Sequence, residues 1–286
     1  MHLLAILTVV MLAVIIRYQS TRLTFEPQEW SKRWYQTLFL FCFPGLLLLT
    51  MAIAVLYMGC HGEMLGVKAG SVGCFISGSL ILFASGCLLK LAVQGNRSIR
   101  QLRNYPQQVI GQTTARILEF PLPYSAQIGF WKSELVISRG LLTALDEEHL
   151  AAVIAHEQAH VKYRDTFWFF WLGWIRTFSC WLPNTEALWQ ELLLLRELRA
   201  DRQAAKSVDF LLLAESLLTV AKAPLEFPIW CASLNDAQIG DRLNERIDSL
   251  LNQTEPVPSD RWYNWSWLCL LLMPLLTIPL HYSGMN

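Results

Sequence analysis

The pentapeptide His156-Glu157-Gln158-Ala159-His160 has residue types and a spacing that can do chemistry. Two histidines four positions apart face the same side of a helix, where both imidazoles can bind one metal ion. Glu157 is placed to take a proton from a metal-bound water molecule. Such short patterns also arise by chance on solvated helices, so the pentapeptide alone leaves a metal site and an ordinary helix face both open.

The residues around the pentapeptide predict the helix that must carry it. Apolar residues recur at helical spacing and are expected to hold the opposite face in a core: Leu150, Val153, Ile154 and Val161. Asp146 is a candidate N-cap, followed by Glu147 and Glu148 in the first turn, where negative charge suits the helix dipole.

A catalytic zinc ion needs a third protein ligand and an open position for water. A strong helix pattern over residues 186–207 offers Glu197 as that ligand. Asp201, four positions later on the same face, can accept the free ring N–H of a ligand histidine. The residues thus favour one Zn²⁺ per chain acting on a peptide carbonyl, although this ligand set suits several divalent ions.

Two arginines further along are weaker candidates for the site. Arg242 and Arg246 lie in an amphipathic segment, residues 236–251. A cation aimed at the developing negative charge would stabilise an oxyanion. An ordinary salt bridge is the alternative for both residues, and Asp165 is open between a brace for the metal helix and a plain helix-end charge.

The composition is that of a membrane protein. Hydrophobic residues make up 53% of the 286 residues and charged residues only 16%, against about 25% in soluble domains. The net charge of zero provides no basic excess for nucleic acid. The seven cysteines are odd in number and form no C-x-x-C pair, which predicts small buried side chains rather than a disulfide framework or a thiolate metal site.

Apolar runs divide the chain into a membrane part and a catalytic part. Three predicted transmembrane helices, residues 3–16, 35–58 and 69–93, form an N-terminal membrane domain over residues 1–95. The first of them is interpreted as an uncleaved anchor rather than a signal peptide, because a basic start and a cleavage site are lacking. A last predicted transmembrane helix lies within residues 261–286.

Lysine and arginine in the connecting segments predict the orientation. The link before the second run and the segment after the third are rich in both, and the link between those two runs has only Lys68. By the positive-inside rule, residues 96–260 form a metallopeptidase domain facing the cytoplasm, with both chain ends outside a bacterial inner membrane. The aromatic stretch 165–182 is predicted to be embedded or interfacial within that domain.

Short strands are expected ahead of the metal helix. Residues 113–120 alternate as a strand does, and residues 127–138 can form a hairpin. The exposed edge of its second strand can hold an extended peptide by β-addition, with an ordinary structural strand as the alternative. The candidate edge residues are Glu134, Leu135, Val136, Ile137 and Ser138.

The segments HEQAHVKYRD and WLPNTEALWQELLLLRELRAD resemble the BlaR/MecR-type antirepressor metallopeptidases. The run GFWKSELVISRGLLTALDEEHLAAVIAHE is similar as well, so the resemblance covers residues 127–201. It implies a mainly α, multi-spanning protein with an α+β zincin-like (gluzincin) domain that carries a small β-sheet. It further implies a protein or peptide substrate, such as a transcriptional repressor, and the lipid bilayer as surroundings.

The resemblance also implies a role for each matching residue. His156 and His160 match the first two zinc ligands, Glu157 the base, Glu197 the third ligand and Asp201 the supporting acid. Members that sense β-lactams carry a penicillin-binding domain after the last membrane helix, whereas this chain resembles the membrane protease half only. We therefore expect any signal to come from a membrane sensor partner or from the membrane region.

Two alternatives stay open at this point. One is a membrane quality-control peptidase, similar to the HtpX-type or prenyl-protein-type enzymes, which would cleave many substrates rather than one repressor. The other is a non-catalytic membrane scaffold or signal relay, which would bind no zinc.

Overall fold

The computed structural model describes residues 1–19, 30–61, 63–64, 67–68, 70–221, 239–252 and 265–282. The chain divides into two compact units. The first unit comprises residues 1–91, 172–192 and 257–286, and the second comprises residues 92–171 and 193–256. The predicted partition into residues 1–95, 96–260 and 261–286 stays a prediction.

The first unit contains helices long and apolar enough to cross a membrane. They are α1 (His2–Gln19), α2 (Trp30–Met58) and α3 (Ser71–Leu102), the three candidate spans in the described part of the chain. Each contains or closely overlaps one of the three predicted runs, and α3 continues beyond its run into the second unit. These helices suggest that the protein is associated with a membrane.

The described part of the last apolar run is not one regular α-helix, and its predicted crossing of a membrane stays a prediction. Within residues 265–282 the structure has a four-residue helix, Trp267–Leu270, and a 3₁₀ helix, Met273–Leu280. Pro274 and Pro279 explain the break, because proline removes a backbone donor and clashes with the preceding helical turn. A short strand, His281–Tyr282, then pairs antiparallel with β1 (Glu63–Met64), whose other neighbour is β2 (Val67–Lys68).

The prediction that the cysteines are small buried side chains without disulfides is wrong for one pair, and Cys180 and Cys269 are exposed rather than buried. Cys60 and Cys74 form a disulfide, with 5.5 Å between their Cα atoms. They lie just after α2 and within the first turn of α3, so the loop that joins these helices brings them together. Cysteine spacing alone does not reveal such a pair, because the contact depends on how two helices pack.

The second unit is built on a four-stranded sheet of order β3-β4-β6-β5. The strands are β3 (Gln107–Ile110), β4 (Thr113–Leu118), β5 (Ser125–Ile128) and β6 (Glu134–Ser138). β3 with β4 and β5 with β6 pair antiparallel, while β4 and β6 are parallel. The predicted strand and hairpin are thereby confirmed, and β3 is an addition that the sequence did not reveal.

Helices follow the sheet in chain order. They are α4 (Arg139–Ala144), α5 (Glu147–Lys162), α6 (Asp165–Phe178), α7 (Thr185–Ala204), α8 (Phe210–Ala221) and α9 (Ile239–Asn252). The side chain of Ser138 caps α4, and that of Asp146 caps α5 by accepting from the His149 amide at 2.9 Å. The predicted cap of the metal helix is therefore confirmed.

Helix α5 lies between two apolar clusters. Val153 packs with sheet residues such as Ile117 and Ile137, against which Leu150 and Ile154 also lie. Ala152 packs in a second cluster with residues of α7, α8 and α9. The prediction that Val161 is also in the core is wrong, because this residue of the last helical turn is 46% exposed.

Candidate metal centre

Three side chains of the second unit bring their metal-binding atoms together. Nε2 of His156 lies 3.1 Å from Nε2 of His160 and 3.2 Å from Oε2 of Glu197. Nε2 of His160 lies 3.8 Å from Oε1 of Glu197. All three ligand atoms are within 4.8 Å of one another, so one ion can contact them together. The helical spacing within α5 and the approach of α7 create this arrangement.

A carboxylate lies behind each imidazole. Oδ1 of Asp201 is 2.8 Å from Nδ1 of His156, and Oδ2 of Asp165 is 2.7 Å from Nδ1 of His160. Each acid can accept the Nδ1 proton, which leaves the Nε2 lone pair directed toward the common point. Two imidazoles with their Nε2 atoms free and one carboxylate are a donor set that fits a divalent ion such as Zn²⁺.

The turn between α5 and α6 positions Asp165. Arg164 has φ 54°, in the left-handed region that non-glycine residues rarely adopt. Its amide donates to the carbonyl of Val161 at 3.1 Å. The chain reverses here, so Asp165 at the start of α6 reaches back to His160. Of the two roles left open for Asp165, the brace for the metal helix is therefore the one that the geometry fits.

Arginines compensate the buried carboxylates. Arg246 of α9 donates from Nε and a terminal nitrogen to both oxygens of Asp201, at 2.7 and 2.8 Å, and lies 3.5 Å from Glu197. Arg196 pairs with Glu197 at 2.7 Å, and Arg199 pairs with Asp165. Asp165 and Asp201 are at most 3% exposed, and a buried carboxylate without a cationic partner would destabilise the fold.

These charges shift the acidities of the cluster. Burial would lower the pKa of His156, but the carboxylates of Asp201 and Glu197 raise it to about 10. Burial would raise the pKa of Glu197, but electrostatic interactions with Arg196, His160 and Arg246 hold it well below its usual range. The carboxylates thus stabilise a positive charge at the His156 ring, and a proton and a metal ion compete for that position.

Glu157 lies beside the cluster and is 5% exposed. Its Oε1 accepts a hydrogen bond from the hydroxyl of Ser125 on β5 at 2.8 Å. Its Oε2 is buried and has no hydrogen-bond partner within the described residues. One oxygen is therefore held in place while the other is left to accept a proton, as a general base requires.

The structure separates the predicted edge strand from this site. β6 pairs with β4 on one side and β5 on the other, so Glu134, Leu135, Val136, Ile137 and Ser138 present no free edge. Glu134 binds Arg116, and the Ser138 hydroxyl donates to the Leu122 carbonyl at 2.7 Å. The prediction of an exposed substrate edge there is wrong, because β5 fills that position.

The two candidate arginines differ in what the structure shows of them. The Arg246 guanidinium is turned to carboxylates of the cluster, and its side chain is only 16% exposed. This is the salt-bridge alternative, although the pair is buried rather than on the surface. Arg242 lies one helical turn earlier on α9, and its oxyanion role stays a prediction.

Sequence reasoning missed three residues that support the site. Ser125 gave no signal, because its contact with Glu157 joins a strand to a helix 32 positions later. Arg196 and Arg199 lie in the same segment as Glu197 and Asp201, and the sequence argument used only the two acids. Buried carboxylates are usually paired with cations, so a search for cations next to Glu197 and Asp201 would have indicated both arginines.

The side chains of His156, His160 and Glu197 could together hold one metal ion. Residues 124–221 match the family model described as Peptidase family M48. The matched segment contains the three ligand candidates, Glu157 and Asp201, and it supports a metallopeptidase family. The comparison with curated proteins found no match.

Proposed function

We propose that the protein is an integral-membrane zinc endopeptidase that cleaves a protein substrate. The observation that carries this proposal is the meeting of His156, His160 and Glu197 beside a buried Glu157. The M48 match suggests a membrane-associated metallopeptidase, and zinc and endopeptidase activity are our extension of it. A bound Zn²⁺ would supply an acidified water molecule and polarise the substrate carbonyl.

The residues of this chain divide the remaining work. Asp201 and Asp165 hold the two imidazoles in orientation, each from a distance below 3 Å. Ser125 fixes one oxygen of Glu157, and the other oxygen takes a proton from water and later delivers it to the leaving amine. Arg246 is a positioning residue, since it holds Asp201 and lies near Glu197.

The outer edge of β5 is our candidate for the peptide-binding strand. β5 is the terminal strand of the sheet, and its Ser125 contacts Glu157. An extended peptide that adds to this edge would have its backbone next to the proposed base. A groove of about 560 Å³ lies between the sheet and the end of α5 and is lined in part by Gln127, Gln158 and Val161.

The proposed orientation places the catalytic region in the cytoplasm and both chain ends outside. The Cys60–Cys74 disulfide supports it, because the positive-inside rule assigns the loop after α2 to the outside, where disulfides persist. The pairing of β1 with His281–Tyr282 keeps the end of the described chain beside that same loop.

The first test of the function is Glu157→Gln. The amide oxygen can still accept from Ser125, so the fold and the zinc ligands are kept while the base is lost. We expect hydrolysis to fall by about 10²–10⁴-fold and the zinc content to stay at one per chain. Casein hydrolysis and atomic emission of purified protein measure the two quantities. Undiminished hydrolysis would remove Glu157 as the base.

The biological substrate separates two versions of this function. The BlaR/MecR-type resemblance implies that the substrate is a repressor. The M48 match does not indicate a repressor, so the quality-control peptidase stays an alternative. Proteomics of cells that carry Glu157→Gln would show one accumulating target in the first case and many membrane proteins in the second. Absence of bound metal in purified wild-type protein would favour the scaffold instead.

A further inference from the structure

An aromatic patch lies on the second unit, where the turn between β5 and β6 meets the beginning of α6. We define the aromatic patch by its six members: Phe130, Trp131, Phe167, Trp168, Phe170 and Trp171. The Phe130 ring lies 5.1 Å from that of Phe167 and 4.8 Å from that of Phe170, between ring centroids. Trp131 contacts Phe167 at 5.2 Å, so the turn and the helix form one surface.

The turn that carries Phe130 and Trp131 depends on a glycine. Gly129 has φ 153°, and a Cβ atom there would lie 2.2 Å from the carbonyl oxygen of Lys132. Only glycine allows this close approach. Gly129 therefore determines the backbone path of the turn that carries Phe130 and Trp131.

The patch exposes two of its three tryptophan side chains. Trp131 is 77% exposed and Trp168 is 57% exposed. Their indole rings combine a large apolar surface with one N–H donor, which is why tryptophan is enriched at the level of lipid headgroups. Exposed aromatic clusters of this kind mark contact surfaces.

The charges and the chain connections around the patch favour a lipid surface as its occupant. Lys132 and Arg164, which flank the patch in sequence, are both exposed and can meet anionic headgroups. Helix α6 continues from Trp171 into the unit that contains the three candidate spans. The candidate span α3 likewise continues into the second unit.

We propose that the aromatic patch inserts into the headgroup region of the bilayer and that the site consequently acts on peptide chains close to the membrane surface. The second part rests on the proposed peptidase function. β5 begins at Ser125, next to Glu157, and leads directly into the turn that carries Trp131. At roughly 3.3 Å per strand residue, the scissile bond would lie at most about 20 Å from the inserted ring.

The membrane contact can be tested without any catalytic activity. The photoreactive residue p-benzoylphenylalanine is placed at position 131 or 168 of full-length Glu157→Gln protein in nanodiscs of phosphatidylethanolamine and phosphatidylglycerol. The control position is Val109 of β3, which is 69% exposed and lies on the opposite edge strand of the sheet. After illumination, mass spectrometry detects lipid adducts.

We expect lipid adducts at positions 131 and 168 and at least ten-fold less adduct at position 109. Equal yields at the patch and at position 109, or no lipid adduct at position 131, would overturn the proposal. Because the protein carries Glu157→Gln throughout, these outcomes do not depend on whether it is a peptidase.

A second experiment tests the consequence for the substrate. Trp131→Ser/Trp168→Ser and the control Val109→Ser are compared on a casein segment that is either free or joined to a lipid anchor in the same nanodiscs. The double variant should lose at least ten-fold in cleavage of the anchored segment and keep that of the free segment, while Val109→Ser keeps both. Equal loss on both substrates would overturn the membrane role, and absence of cleavage by wild-type protein would instead reject the peptidase function.

Discussion

At the scale of single residues, the candidate metal site includes side chains other than the three proposed ligands. Asp201 is almost fully buried. Its Oδ1 contacts the His156 ring, and its Oδ2 contacts the Arg246 guanidinium. Oriented imidazoles bind metal more tightly than free ones, because the acceptor fixes the tautomer. The affinity for zinc should therefore respond to changes outside the three ligands.

Replacing Asp201 tests this dependence. In Asp201→Asn the residue keeps its size but loses the charge that His156 and Arg246 face, so we expect zinc to bind about 10–100-fold more weakly. Competition with a chromophoric chelator measures the dissociation constant. Asp248→Asn, at an exposed position of α9, is the matched control and should leave the constant unchanged. Wild-type affinity in Asp201→Asn would show that the acid has no part in binding.

The proposed metal ligands and their neighbours on the same helix face could be predicted from the sequence. The residues that support them from other elements could not. The spacing of His156 and His160 and the separate acid pair Glu197 and Asp201 follow from helix periodicity, so one helix face could be predicted for each pair. Their meeting at one point and the contact of Ser125 with Glu157 depend on tertiary packing. No local pattern encodes such contacts.

At the scale of elements, Gly140 shows how closely the start of α4 packs against the segment that follows β4. A Cβ atom at Gly140 would lie 2.1 Å from the carbonyl oxygen of Pro121. This backbone cannot move aside as a flexible side chain would, and the two segments are also linked by the hydrogen bond from the Gly140 amide to the Phe120 carbonyl at 2.9 Å.

We expect Gly140→Ala to destabilise the second unit by about 1–3 kcal/mol, because the added methyl group has no space. Gly95→Ala is the control, since Gly95 is also helical but a Cβ there meets nothing within 4 Å. Removing glycine from a helix interior should raise stability by roughly 0.5–1 kcal/mol. Thermal unfolding in detergent compares the two variants, and an equal response of both would contradict the packing argument.

The start of α5 should give stability a dependence on pH. His149 lies 2.7 Å from Asp146 and 3.2 Å from Glu215 of α8. Its contact with Asp146, followed by that with Glu215, raises the pKa of His149 above its ordinary value of 6.5. The protonated ring therefore stabilises the fold fully below pH 6.5, and this contribution disappears as the pH rises through the raised pKa.

The variant His149→Gln should accordingly unfold at a lower temperature than wild type at pH 5.5, and the difference should shrink by pH 9. Melting temperatures over this range measure the effect. Lys206→Gln, which also removes a positive charge from an exposed position, should show no such convergence. A difference that grows with rising pH would have the wrong sign for a raised pKa.

Most helices and strands could be predicted, and the failures have local causes. Long apolar runs indicate α1 to α3, helical patterns indicate α5, α7 and α9, and alternation with a hairpin pattern indicates β4 to β6. The hydropathy of the last apolar run predicts one helix, whereas Pro274 and Pro279 do not fit a regular α-helix. β3 was missed because its residues Gln107 and Gln108 are polar and give no alternating signal.

At the scale of the whole molecule, the disulfide provides a test of orientation. If the loop after α2 faces an oxidising compartment, Cys60 and Cys74 should be linked in cells. In denatured protein from freshly lysed cells trapped with acid, polyethylene glycol maleimide should attach to two more cysteines after reduction than before. Cys60→Ser/Cys74→Ser should abolish the difference. Equal labelling before and after reduction in wild type would contradict the proposed orientation.

Asp165 links three helices. It is the first residue of α6, and its carboxylate contacts His160 of α5 and pairs with Arg199 of α7. In a random mutagenesis screen for inactive protein, changes at Asp165 would therefore score like changes at a ligand. If every position that abolishes activity were taken for a metal ligand, Asp165 would be counted as a ligand in error. Distinguishing a brace from a ligand would require a spectroscopic probe of the ion itself, such as cobalt substitution.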